Sequence, residues 1–204
     1  MSKKSKNLDA SKNAQDQKDR PVRADARRNL DALLEAAKDV FSTSGVDAPV
    51  REIAEKAGVG LGTVYRHFPQ RSDLIAAVFR HEVDFCADAA PLLAAQYEPG
   101  EALARWLQRY SAFITTKRGL APALHSGDPA FKNLRAYFEE RVRPAFLTLI
   151  EAATKAGQIR ADVDADDILY AVAHLSMSAY DVSSDHTQRM VALLVDGLRY
   201  GAPN

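Results

Sequence analysis

The stretch from Val50 to Arg71 leaves this chain few ways to fold. Val50, Ile53, Ala54 and Ala57 fall at i, i+3, i+4 and i+7, one apolar stripe on a helix of about two turns. Gly58 follows, where a helix end favours a residue free to enter the left-handed conformation. A second short helix is predicted from about Gly60 to His67, with Val64 and Phe68 sharing a side at i, i+4. Pro69 stops it, because proline has no N–H to continue the ladder.

Leu61, Gly62, Thr63, Tyr65, Arg66 and His67 are left for the other faces of that second helix. A solvated face is usually Glu, Lys and Gln, whereas this one mixes small, aromatic, imidazole and guanidinium groups without a carboxylate. Gly60 and Gly62 keep the start of the helix slim, and a helix N-terminus offers unpaired N–H groups to phosphate oxygens. These features describe a recognition helix entering a DNA major groove. The same pattern also suits a plain helical hairpin buried in a core.

The run Ile53-Ala54, Ala57-Gly58-Val59 and Gly62-Thr63-Val64-Tyr65-Arg66-His67-Phe68-Pro69, with Arg71 and Leu74, resembles the tetracycline-repressor (TetR) family of bacterial regulators. The likeness spans about Arg27 to Phe85. It implies an all-α fold: a three-helix, helix-turn-helix DNA-binding head on a larger helical body for ligand binding and dimerisation. It also implies contacts residue by residue. Thr63, Tyr65 and His67 match positions that touch phosphates and base edges, and Leu61 and Gly62 match the helix start. Arg71 resembles the usual phosphate clamp. Arg51 on the supporting helix could reach a guanine or a phosphate, and Arg66 faces either a phosphate or solvent. The Ser or Thr that most members carry near Pro49 or Val50 is absent.

A formal net charge of zero argues against a nucleic-acid binder, but its distribution is uneven. Residues 1–80 hold 15 Lys and Arg against 11 Asp and Glu, a net of +4, and the rest of the chain carries the balancing −4. A basic head and an acidic body would orient the molecule toward a polyanion. No apolar run approaches the roughly 18 residues that span a bilayer, and the polar N-terminus lacks a signal-peptide core. The single cysteine, Cys86, excludes an internal disulfide framework and fits a reducing cytoplasm; it is expected as a small apolar residue in a helix.

The expected organisation is an arm over 1–25, a head over 26–86 and a body over 87–204. The arm is lysine-dotted and almost free of apolar residues, so it is expected to be disordered, to follow DNA, or both. Leu30, Leu33, Leu34, Ala37, Val40 and Phe41 predict the first helix, which Gly45 ends. A long fourth helix starts at Arg71, with Pro91 expected to kink or end it. In the body, a helix is predicted from Glu101 to about Thr116, then a break at Arg118 to Pro122 and a short piece through Leu124. A helix from about Pro129 to Ala156 is expected to kink at Pro144, and two more cover about Ala165–Val182 and His186–Tyr200.

No enzyme signature survives inspection. The five histidines form no H-x-x-x-H pair, one cysteine excludes a Cys-rich zinc site, and the glycines at 58, 60 and 62 lack the Lys-Ser/Thr of a phosphate loop. Asp162, Asp164, Asp166 and Asp167 lack the glycine and glutamate of a calcium loop and read as helix-capping acids. No metal or cofactor is expected. A small, largely apolar effector is expected in the body, held among Trp106, Tyr110, Phe113, His125, Phe138, Phe146, Tyr170, His174 and Met177, although each of these also suits plain core. Apolar stripes on the last two helices (Ile168, Val172, Leu175, Ala179; Met190, Val191, Leu194, Val195, Leu198) exceed what one small body should bury and are expected to pair with a second copy. The expected whole is a homodimeric regulator, most simply a repressor of a pseudo-palindromic double-stranded operator. A ligand-independent regulator or activator with the same head, or a helical carrier or enzyme, are the alternatives.

Overall fold

A computed structural model describes residues 28–177 and 184–200, and the expected basic arm at 1–25 lies outside them, as does Ala179. All regular structure among the described residues is helical. Helix α1 covers 28–44, α2 Val50–Ala57, α3 Leu61–His67 and α4 Arg71–Gln96. Helix α5 covers Pro99–Leu124, α6 Leu134–Lys155, α7 Ala165–Ser176 and α8 Ser184–Arg199, with a single 3-10 turn at Pro129–Phe131.

The head forms as its pattern requires. Leu33, Leu34, Ala37, Val40 and Phe41 are buried on α1, Ile53 and Ala54 on α2, and Val64 on α3. Gly58 ends α2 at φ 68°, and its N–H reaches the Glu55 carbonyl while the Val59 N–H reaches that of Ala54. This double closure needs a residue tolerant of positive φ, which fixes the turn between the two helices. Helix α4 opens on a capping box, in which the Gln70 N–H donates to Asp73 Oδ2 at 3.0 Å.

An end at Pro91, a break before Pro122 and a helix starting at Pro129 all need correction. Helix α4 runs through Pro91 to Gln96, because Pro91 lies on the exposed side while Ala89 and Ala90 stay buried beside it. Helix α5 does not break at 118–122. Leu120 is buried, Gly119 passes close to the Phe41–Ser42 backbone, and Pro122 falls in the last turn, where little of the ladder remains to lose. The helix expected from Pro129 is instead the 3-10 turn, capped by Asp128, followed by α6 from Leu134. Asp164 caps α7, accepting from the N–H groups of Asp166 and Asp167 as its acidic run suggested.

Helices α4, α5 and α6 pack together, and α7 and α8 lie on α5. At the centre Trp106 stacks on Tyr110 and Phe146, with ring centroids 5.5 and 5.4 Å apart, and its Nε1–H donates to the Cys86 carbonyl at 2.9 Å. Cys86 is buried, and desolvation pushes its thiol pKa up to about 12, so it behaves as a small apolar residue. One apolar cluster runs without interruption from Leu33 in α1 to Leu198 in α8.

That cluster corrects the argument for the last two helices. Ile168, Val172, Val191, Val195 and Leu198 are buried within the single chain, so that part of the two stripes packs inward, while Leu175, Met190 and Leu194 are half-buried. The face of α8 left outside is a different one, marked by Leu193 at 61% exposure. Truncating the central ring, Phe146→Ala, should lower unfolding free energy by about 3–5 kcal/mol, while Met177→Ala, at an exposed side chain, should change it by under about 0.5 kcal/mol. Urea unfolding followed by circular dichroism measures both.

Candidate functional site

Two regions of the molecule carry unusual surfaces: the outer face of α3 and a cleft in the body. Of the seven residues of α3 only Val64 is buried. It pins the helix to the head, so the rest of its circumference must face outward. Leu61 is 42% exposed, Tyr65 50%, and Gly62, Arg66 and His67 are also exposed, with Thr63 half-buried. No carboxylate lies on the helix, and its last turn carries Arg66 and His67. Arg51, on α2, is exposed and pairs with Glu55 at 3.2 Å, so its charge is partly answered within the head.

Arg71 has an internal task that the sequence did not reveal. Its Nη1 donates to the carbonyls of Val46 and Ala48 at 2.6 and 2.7 Å, holding the α1–α2 loop against the start of α4. A second set of charges ties α1 to the middle of α4. Lys38 pairs with Glu35 and lies 3.3 Å from Glu82, and His81 Nε2 lies 3.2 Å from Glu35. Desolvation raises the Glu82 pKa, offset only in part by Lys38. For Glu35, desolvation works against the same partners, and the Lys38 and His81 contacts win, leaving its pKa below the ordinary value. Glu35, His81 and Glu82 offer ligand atoms within 4.8 Å of one another, but the Lys38 ammonium already supplies positive charge to both carboxylates.

The body cleft has a volume of about 670 Å³ and is walled by α5, α6, α7 and the 3-10 turn. Of the residues expected in a pocket, Tyr110, His125, Phe138, Tyr170 and Met177 line it. Trp106, Phe113 and Phe146 do not; they are buried core, facing the other helices. His174 is also displaced from the expected site, since its Nδ1–H donates to the Tyr170 carbonyl at 2.7 Å and its ring stays on the outer face of α7. Burial raises the Tyr110 pKa, so its hydroxyl stays neutral.

The charged rim went unforeseen. Lys117, Arg135, Glu139, Arg143 and Asp166 all line the cleft. Arg135 pairs with Glu139 at 2.9 Å and Arg143 with Asp166 at 3.0 Å. A signal existed, because Lys117 lies seven residues after Tyr110 and Glu139 adjoins Phe138. Phe131 borders both this cleft and a second groove of about 460 Å³, which runs between the head (Val46, Arg71) and the end of α5 (Pro122, Ala123). From the opposite side of α6, Tyr137 donates to both Asp84 oxygens at 2.7 and 2.9 Å, and Arg141 bonds Asp84 and Asp88. One helix therefore touches both the cleft and α4.

Comparison with known proteins gives the same picture. Residues 33–78 match the family model of bacterial regulatory proteins of the tetR family, and residues 98–200 match that of the C-terminal domain of SbtR-like transcriptional regulators. A TetR transcriptional regulator of Streptomyces coelicolor is 38% identical, with 84% of this chain and 99% of that one covered and a TM-score of 0.75. The chain belongs to the TetR family.

A second solved TetR regulator, from Mycobacterium vanbaalenii, is 37% identical over 88% of this chain and 99% of its own, with a TM-score of 0.69. Among curated proteins, a helix-turn-helix transcriptional regulator of Staphylococcus aureus (strain USA300) is 38% identical over 64 residues, 31% of this chain. The match spans only 35% of that relative's length. This TetR-family chain is therefore a DNA-binding transcriptional regulator, and no helix among its described residues is long and apolar enough to cross a membrane.

The internal role of Arg71 can be separated from any role on DNA. Arg71→Met should lower unfolding free energy by about 1.5–3 kcal/mol through loss of its charged hydrogen bonds, whereas Arg66→Met on the open face should not. Chemical denaturation without DNA makes that comparison.

Proposed function

We propose that this regulator is a cytoplasmic homodimeric repressor, released from a pseudo-palindromic operator by a small molecule bound in the body cleft. The observation that carries the reading is the α3 face: a short helix pinned by one buried valine, presenting Leu61, Tyr65, Arg66 and His67 outward without a carboxylate. On DNA, Tyr65, Thr63 and His67 contact phosphates and base edges, Leu61 and Gly62 allow close approach to thymine methyls, and Arg51 and Arg66 add positive charge. Arg71 positions the loop before α2, with its remaining N–H groups turned to the backbone phosphates.

The outward face of α8 supports dimerisation. Leu193 and Gly197 fall at i and i+4 on that face, half-buried Met190 and Leu194 border it, and a side chain at Gly197 would meet nothing within 4 Å. Glycine inside a helix is about 1 kcal/mol worse than alanine, which is tolerable where another helix must come close. A second copy of α8 fits this role. The pair would bring two α3 helices to successive major grooves about 34–36 Å apart. Ligand then favours the dimer state with a different head separation, and operator affinity falls by the difference in ligand affinity between states.

DNase footprinting on DNA flanking the gene tests the reading. The wild type should protect a palindrome, and Tyr65→Ala should bind it at least about tenfold more weakly while unfolding at the same denaturant concentration. Absence of protection at any sequence in low salt would sink the proposal. Gly197→Leu should raise the dimer dissociation constant by at least about tenfold in sedimentation equilibrium, and an unchanged dimer would place the interface elsewhere.

A further inference from the structure

We propose that the cleft takes an amphipathic monocarboxylate, its apolar body against Tyr110, Phe138 and Leu169 and its carboxylate on Lys117. This rests on reading the cleft as the effector site and adds the ligand's chemical class.

The balance of charges in the cleft carries the inference. Among the described residues, Lys117, Arg135 and Arg143 line it together with two carboxylates, Glu139 and Asp166. Each carboxylate already holds an arginine, Glu139 on Arg135 and Asp166 on Arg143. Among the described residues Lys117 is thus the lining cation with no carboxylate partner. Its ammonium lies instead 5.8 Å from the centroid of the Phe138 ring. The charge that acts on it is of like sign, on Arg135.

The side chain of Lys117 is open enough for a ligand to reach. Desolvation against the aromatic wall, followed by repulsion from Arg135, lowers its pKa. A neutral ligand filling the cleft would strip more water from an uncompensated charge, and a cationic one would add to the repulsion. A carboxylate relieves both effects through a charge-assisted hydrogen bond. One charge suffices, since one cation is open. The rest of the ligand must be apolar, because aromatic and aliphatic side chains form most of the wall and a cleft of about 670 Å³ dwarfs a bare anion.

Isothermal titration calorimetry on the full chain near neutral pH, with decanoate and phenylbutanoate each set against its primary amide, tests this. The acids should bind at least about tenfold tighter than the amides, with the difference abolished in Lys117→Gln and kept in Lys117→Arg. Amide binding that is unchanged in Lys117→Gln shows the cleft intact, so the loss is of charge and not of fold. Equal binding of acids and amides, a difference that survives in Lys117→Gln, or no binding by either series overturns the proposal. Operator footprints taken with the same probes separate the two readings. Acids that bind through Lys117 yet leave the footprint unchanged uphold the ligand class and overturn the effector role.

Discussion

Helix α4 is the constraint on which the rest of the molecule depends. Its buried side chains begin at Leu74 and extend to Ala90, so one rigid element completes the head and then enters the body core. Four sets of polar ties fix it along that length. Arg71 holds the α1–α2 loop, His81 and Glu82 meet Glu35 and Lys38 of α1, Asp84 takes Tyr137 and Arg141 of α6, and the Cys86 carbonyl accepts from Trp106 of α5. Each tie joins a different neighbour. A close-packed helix held in this way moves as a unit rather than bending, since its neighbours leave no room for graded deformation.

This arrangement places the ligand question in mechanical terms. Helix α6 presents Phe138 and Glu139 to the cleft and Tyr137 and Arg141 to α4, so a ligand that shifts α6 pulls directly on Asp84. Phe131 offers a second route, because it separates the cleft from the groove beside Val46 and Arg71. Coupling of about 1–3 kcal/mol is typical between such sites, and loss or gain of one or two charged hydrogen bonds along either route is enough to supply it.

The head was legible in the sequence because each of its turns is fixed locally. Gly58, Val64 and Pro69 determine where α2 and α3 end and which side faces inward, and neighbouring residues decide all of it. The body was harder because its outcomes are tertiary. Pro91 read as a kink or an end and Pro122 as part of a break, yet packing of Ala90 and Leu120 carries both helices past them. The stripes of α7 and α8 read as surplus, yet the chain itself buries Ile168, Val172, Val191, Val195 and Leu198 of them. A search for aromatic groups found Tyr110 and Phe138 but also core rings, and it passed over Lys117, which lines the cleft with no carboxylate partner among the described residues, something no linear pattern displays.

The central claim is that α4 carries each head as a lever whose setting the cleft controls. Pulsed electron resonance between nitroxides at residue 31 of the two protomers of the proposed dimer, introduced as Asp31→Cys on the exposed side of α1, measures the head separation. Buried Cys86 should stay unlabelled. On operator DNA the account predicts one narrow distance distribution, and on adding a carboxylate that fills the cleft a second, equally narrow one at a different separation. Operator release with the separation unchanged, or with the distribution merely broadened, would contradict the lever.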